Sequence, residues 1–136
     1  MVKKKTTKKT SVPRTRNAGT LTESQYWGKI RSALRNAFRY WKPMTLALEK
    51  ASRPSKSANK RIKKEYQCAE CKEWFKRADV QIDHIIPCGS LRNFDDIPAF
   101  IENLTIENPK AYQILCKPHH LIKTKEEKLA KKLAQE

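Results

Sequence analysis

Gln81-Ile82-Asp83-His84-Ile85-Ile86-Pro87 is the stretch that decides the fold of this 136-residue chain. It sets a carboxylate beside an imidazole inside an apolar run that ends at a proline. Charged side chains are rarely buried without a partner, so this pair is expected to bind something. The candidate partners lie in a second stretch, Leu115-Cys116-Lys117-Pro118-His119-His120.

Hydrophobic spacing around these stretches predicts two strands and one helix. The predicted elements are strands over residues 80–86 and 111–115 and a helix from about Pro118 to Leu133. Strict alternation along a strand would put Asp83 and His84 on opposite faces. Both can reach one site only if the strand twists or ends there, and the nearby Pro87 favours an ending.

Two pairs of residues have the spacing of zinc ligands. They are Cys68-x-x-Cys71 and Cys116-x-x-His119. Together they predict a structural Zn²⁺ site, which would help a small domain that lacks a large core. Reduced, unliganded thiols are the alternative. Cys88 is left over, either as a small buried residue or as the fourth ligand in place of His119.

Asp83, His84 and His120 remain for chemistry. Asp83 and His120 can bind a divalent cation, and His84 can take a proton from water, which are the parts that phosphodiester hydrolysis needs. Adjacent residues on a helix point about 100° apart, so His119 can face the zinc while His120 faces a second site. The alternative for His84 is a core histidine hydrogen-bonded to Asp83.

Charge is distributed unevenly along the chain. Residues 1–64 carry 19 lysines and arginines against two acids, a net charge of +17, whereas residues 65–136 are nearly neutral at −1. A basic arm on a neutral body is typical of a protein that binds a polyanion. No apolar run is long enough for a membrane span, and the Lys- and Thr-rich start does not predict a secretory signal.

The predicted organisation has three parts: a disordered basic tail (1–20), a helical basic arm and linker (21–59), and a zinc-bound domain (60–136). A capping box at Thr22 to Gln25 predicts the start of the arm's helix. One face of that helix carries Arg31, Arg35 and Arg39, which can lie along a duplex backbone, while its aromatic stripe packs.

Three motifs, taken in order, resemble the HNH endonuclease family, most closely the small zinc-bound HNH proteins common in bacteriophages. They are Cys68-x-x-Cys71, then Asp83-His84-Ile85-x-Pro87, then Gln113-Ile114-Leu115-Cys116-x-x-His119-His120-x-x-Lys123-Thr124. The ordered set covers roughly residues 61–125 and is specific, although no single motif is.

The resemblance implies an α+β domain of the ββα-metal (His-Me finger) type with a zinc knuckle. It also implies one divalent metal, Mg²⁺ or Mn²⁺, held by Asp83 and His120, with His84 activating water to cleave DNA and leave a 5′-phosphate. Lys123 and Thr124 would lie near the scissile or adjacent phosphate. A protein of this kind would act on double-stranded DNA in the cytoplasm of a host cell, without a small-molecule cofactor.

Two positions depart from the family's pattern. His119 stands where the family usually has the second thiol of Cys-x-x-Cys-His, which a Cys3His zinc site accommodates. Ala111 stands where the family has an Asn whose carbonyl orients the catalytic imidazole. Asn108 is the candidate replacement and Asn103 a poorer one, and a backbone carbonyl is another way to fill the role.

The leading hypothesis from the sequence is therefore an HNH-type DNA endonuclease or nickase. The alternative is a non-catalytic zinc-finger protein that binds nucleic acid, with Asp83 and His84 structural. Ala111 favours that alternative. A third reading, an RNA-binding or ribosome-associated protein, depends only on the basic tail.

Overall fold

Four helices and two small antiparallel sheets make up residues 11–134, the part of the chain that the computed structural model describes. The class is α+β, as predicted. The helices are α1 (Glu23–Ala37), α2 (Lys42–Lys50), α3 (Ile97–Leu104) and α4 (Lys117–Leu133). The strands are β1 (Ser52–Pro54), β2 (Lys64–Gln67), β3 (Trp74–Phe75), β4 (Val80–His84) and β5 (Tyr112–Cys116).

Strands β4 and β5 pair antiparallel, and α4 follows β5 directly. The register sets Asp83 opposite Gln113 and His84 opposite Tyr112. Strand β4 ends at His84, two residues earlier than predicted, because β5 begins at Tyr112 and the chain before it forms a 3-10 turn over Pro109–Ala111. The strand therefore ends at the Asp-His pair, where the sequence required a twist or an ending.

The second sheet carries the turn with Cys68 and Cys71 that the sequence predicted as a knuckle. Its strand order is β1-β2-β3, with Tyr66 opposite Phe75 in the β2–β3 pair. The turn between these two strands holds both thiols, and Lys72 takes a left-handed conformation there at φ 61°. After this turn, Trp74 and Phe75 pair back onto the entering strand β2.

Helix α1 begins where the capping box predicted. The Gln25 backbone N–H donates to Oγ1 of Thr22, and the Thr22 N–H donates back to Oε1 of Gln25. The segment just before it does not fit the predicted disordered tail, because Arg16 pairs with Leu21 in a β-bridge and its guanidinium lies 4.3 Å from the Tyr26 ring centroid. The rest of that predicted tail, residues 1–10, lies outside the described residues.

The helical arm is not separate from the body of the protein. Trp27 of α1 is 3% exposed and shares one core cluster with Cys88, Leu91, Phe100 and Leu104. Burial of the tryptophan side chain in that cluster stabilises the contact between the arm and the rest of the protein. The arm therefore packs against the body and does not extend into solvent. The end of the predicted arm and linker (21–59) is also joined to the rest of the chain, because Ser52–Pro54 pairs with β2 as β1.

Candidate functional site

Four donor atoms meet where the knuckle approaches the start of α4. They belong to Cys68, Cys71, Cys116 and His119, and all lie within 4.8 Å of one another. His119 Nδ1 is 3.0 Å from the Cys116 sulfur and 3.9 Å from the Cys68 sulfur. A Zn–S bond of about 2.3 Å in a tetrahedron separates two sulfurs by about 3.8 Å, so this group can hold a metal ion such as zinc.

The thiols differ in how readily they ionise. Burial alone would raise the pKa of Cys68, but backbone hydrogen bonds, chiefly from Cys116 and Cys71, lower it from 9.0 to about 7. Burial raises the pKa of Cys116. A bound metal needs thiolates, and these hydrogen bonds favour the thiolate of Cys68. Cys88 lies apart from this group, packed with Trp27 and Leu91.

The two adjacent histidines of α4 point to different sites. His119 turns Nδ1 towards the cysteines, whereas His120 brings Nε2 to 3.9 Å from Oδ1 of Asp83. The first helical turn of α4 thus contributes one imidazole to the cysteine cluster and one to the end of β4. This is the arrangement that the 100° rotation per helical residue predicts.

Asp83 is the buried charged side chain of the described core, at 8% exposure. Its Oδ2 accepts hydrogen bonds from Nε2 of Gln113, at 2.9 Å, and from Nζ of Lys123, at 2.8 Å. Its Oδ1 faces His120. The carboxylate therefore has one oxygen engaged by protein donors and one directed at an imidazole.

His84 is half-buried beside Tyr112, with the ring centroids 5.0 Å apart in an edge-to-face contact. Its Nε2 lies 3.3 Å from the main-chain oxygen of Leu104. A carbonyl can only accept, so this contact places the proton on Nε2 and leaves Nδ1 with a lone pair. Burial lowers the pKa of His84 below 6.5, and the nearby Arg35 guanidinium acts in the same direction. The ring is therefore neutral near pH 7.

A groove between α1 and α4 joins these side chains. Its volume is about 770 Å³, and Asp83, His84 and His120 all line it. Its walls also carry basic side chains from both helices: Arg31, Arg35, Lys128 and Lys131. A groove of this size with convergent polar groups has the character of a ligand site, and its basic walls favour an anionic ligand.

The side chains predicted to contact DNA are placed differently from one another. Arg31 and Arg35 line the groove, whereas Arg39 lies outside its lining and stands 5.2 Å from the Tyr40 ring centroid. Thr124 lines the groove and donates its hydroxyl to the His120 carbonyl. Lys123 is used within the protein: its ammonium contacts Asp83, the main-chain oxygen of His84 and Glu127.

Asn108 is not the residue that orients His84. It is exposed, and its side-chain oxygen caps the 3-10 turn by accepting from the Lys110 N–H at 3.0 Å. The oxygen at His84 belongs to the Leu104 backbone. A main-chain acceptor leaves no residue-type signal in the sequence, so reasoning from side chains could name only the general possibility. The packing of Tyr112 against His84 was also not predicted.

Within residues 11–134, every helix falls short of the length and apolar character needed to cross a bilayer. Comparison of the chain with family models, curated proteins and solved structures finds no match.

Proposed function

We propose that this protein is a metal-dependent endonuclease that hydrolyses phosphodiester bonds of double-stranded DNA by an HNH-type mechanism. The observation that carries the proposal is the meeting of Asp83, His84 and His120 in one basic groove. These residues come from the end of β4 and the start of α4, two elements 30 residues or more apart in sequence. Their convergence supports a shared chemical task.

The donor set fits a divalent cation. Asp83 Oδ1 and His120 Nε2 are 3.9 Å apart, within the span of two coordination bonds of about 2.1 Å. Asp83 and His120 would hold Mg²⁺ or Mn²⁺, which when bound supplies charge stabilisation at the phosphate and the leaving oxygen. Lys123 and Gln113 hold the other carboxylate oxygen, so they fix the direction in which Oδ1 points.

His84 is the general base in this proposal. With the Nε2 proton directed to the Leu104 carbonyl, Nδ1 is the nitrogen that accepts a proton from water. The hydroxide so formed attacks phosphorus, the bond from phosphorus to the 3′ oxygen breaks, and the leaving oxygen takes a proton from solvent. A neutral imidazole is required for this step, and the lowered pKa of His84 supplies it near pH 7.

The other features have supporting roles. Zn²⁺ held by Cys68, Cys71, Cys116 and His119 would join the knuckle to α4 and so stabilise the frame of the groove. Arg31 and Arg35 would contact phosphates and position the duplex without reading its sequence. The proposed site of action is double-stranded DNA in the cytoplasm of a host cell.

A second candidate function is zinc-dependent binding of nucleic acid without cleavage. The ion pair of Asp83 with Lys123 favours it, because a buried acid with its own basic partner needs no metal. Ala111, at the position of the family's orienting Asn, also favours it. In this reading His84 is a satisfied core histidine.

Nicking of supercoiled plasmid in Mg²⁺ or Mn²⁺ separates the two functions. Wild type should nick, and His84→Ala should lose about 10²–10⁴-fold of the rate while still binding DNA. Gln81→Ala, on the exposed face of the same strand, is the matched control and should nick like wild type. A wild-type protein that binds DNA but nicks in no divalent metal would establish the second function.

A further inference from the structure

The position of the family's orienting Asn is occupied here by a residue that cannot fill that role. Ala111 has no polar side-chain atom, and its main-chain oxygen accepts a hydrogen bond from the Ile85 N–H at 3.0 Å. That contact extends the β4–β5 ladder by one step and leaves the Ala111 carbonyl engaged. The imidazole of His84 is therefore held by something else.

The C-terminal end of α3 supplies the acceptor. Leu104 is the last residue of that helix, and carbonyls in the last turn of a helix have no intrahelical partner. The Leu104 oxygen lies 3.3 Å from Nε2 of His84. The Nε2–H of His84 thus donates to a carbonyl at the end of α3 that has no partner within the helix.

Tyr112 fixes both sides of this contact. Its ring packs edge-to-face against His84, directly across the β4–β5 ladder. Its hydroxyl donates to the Ile106 oxygen at 2.8 Å and lies 3.4 Å from the Leu104 oxygen. The Ile106 oxygen also accepts from the indole N–H of Trp41 at 3.2 Å. Two aromatic donors therefore hold the short segment that carries the acceptor.

We infer that Tyr112 and the end of α3 together replace the missing Asn, with Tyr112 as a positioning residue that sets the tautomer and direction of His84 through the Leu104 carbonyl. The inference rests on the proposed function for its catalytic consequence. Its structural part, the holding of the ring, can be measured without any cleavage.

The structural test reads the ring nitrogens of His84 by ¹⁵N NMR in zinc-loaded protein without added divalent cation. The chain has three histidines, and the signals lost in His84→Gln identify the one of interest. Wild type should show the Nε2-protonated form alone, with a contact from the ring to Leu104. A protonated Nδ1, or signals averaged between the two tautomers, would overturn the inference.

The functional test uses Tyr112→Phe, which keeps the ring against His84 and removes the hydroxyl. The second tautomer of His84 should appear in the NMR spectrum. The kcat for nicking should fall about tenfold and KM should stay within about twofold, because Tyr112 acts on the reacting imidazole indirectly, through the Leu104 carbonyl. Tyr66→Phe in β2 is the matched control and should change neither.

The outcomes separate the two proposals. An unchanged His84 tautomer together with unchanged kcat in Tyr112→Phe would overturn the role of Tyr112 and leave the endonuclease intact. A held Nε2 tautomer in a wild-type protein that never nicks would instead overturn the endonuclease and leave the ring contact standing. Should Tyr112→Phe fail to fold, the wild-type tautomer still tests the structural part, because a protonated Nδ1 would rule out the contact with the Leu104 carbonyl and with it the role of Tyr112.

Discussion

Nζ of Lys123 lies 2.8 Å from Oδ2 of Asp83 and 2.8 Å from the main-chain oxygen of His84. The Lys123 ammonium on α4 therefore contacts both residues at the end of β4. Burial opposes its charge, but hydrogen bonds to Asp83 and Glu127 raise the pKa of Lys123 above 10.5. The lysine stays charged at any physiological pH and keeps the carboxylate in place.

Lys123→Met should destabilise the protein by about 2–3 kcal/mol, because it leaves the buried Asp83 carboxylate without its cationic partner. Urea unfolding at pH 7 measures the change in the free energy of unfolding. Lys125→Met, at an exposed position of the same helix, should stay within about 0.5 kcal/mol of wild type. Equal, small effects of both substitutions would mean that the pair contributes little.

The zinc content of cysteine variants shows which of the four cysteines bind the metal. Wild type should carry about one Zn²⁺ per chain, and Cys116→Ser should lose the ion and unfold at much lower urea, since zinc binding is coupled to folding. Cys88→Ala is the control, because Cys88 is buried but lies outside the cluster. Zinc lost from the Cys88 variant and kept by the Cys116 variant would reverse the assignment of ligands.

Trp27→Ala should destabilise the whole protein and not only α1. The indole is 3% exposed, and its Nε1 donates to Oε2 of Glu23 at 3.0 Å. Truncating a buried tryptophan typically costs about 3–5 kcal/mol. Circular dichroism and tyrosine fluorescence should report one shared transition at lower urea. Two separate transitions would instead mean that the arm and the body fold independently. Tyr40→Ala, at 80% exposure, is the control.

Salt dependence tests the basic walls of the groove. Replacing both Arg31 and Arg35 by Ala should weaken binding to a short duplex and lower the slope of log affinity against log salt by about two. Anisotropy titrations at several salt concentrations, without added divalent cation, give the slope. The charge-matched pair Lys63→Ala and Lys64→Ala, where the chain enters β2 of the other sheet, should alter the slope less. Equal changes would indicate diffuse attraction instead of a defined phosphate contact.

Local signals in the sequence predicted much of this structure. The capping box at Thr22, the pairs Cys68–Cys71 and Cys116–His119, and the double histidine each consist of residues close in sequence, so residue type and spacing were enough to identify them. The placement of His119 and His120 at separate sites followed from helical geometry alone.

Long-range packing was not predictable in the same way. Ser52–Pro54 reads as a polar linker, yet it completes a sheet because residues 64–66 offer it a partner edge. The acceptor at His84 is a main-chain atom of Leu104, brought there by α3 from 20 residues away. Lys123 was expected near a phosphate, and the contact of its ammonium with the buried Asp83 carboxylate was not predicted. Each of these contacts depends on the finished fold.

His119 and His120 are adjacent in α4, so one peptide bond connects the cysteine cluster to the groove. A backbone shift at His119 therefore reaches His120 directly. Loss of the scaffold ion would therefore displace the ring facing Asp83 even where the surrounding helix persists. In the proposed endonuclease, zinc supply and oxidants that attack thiolates would then control the rate of cleavage, although neither takes part in the cleavage step.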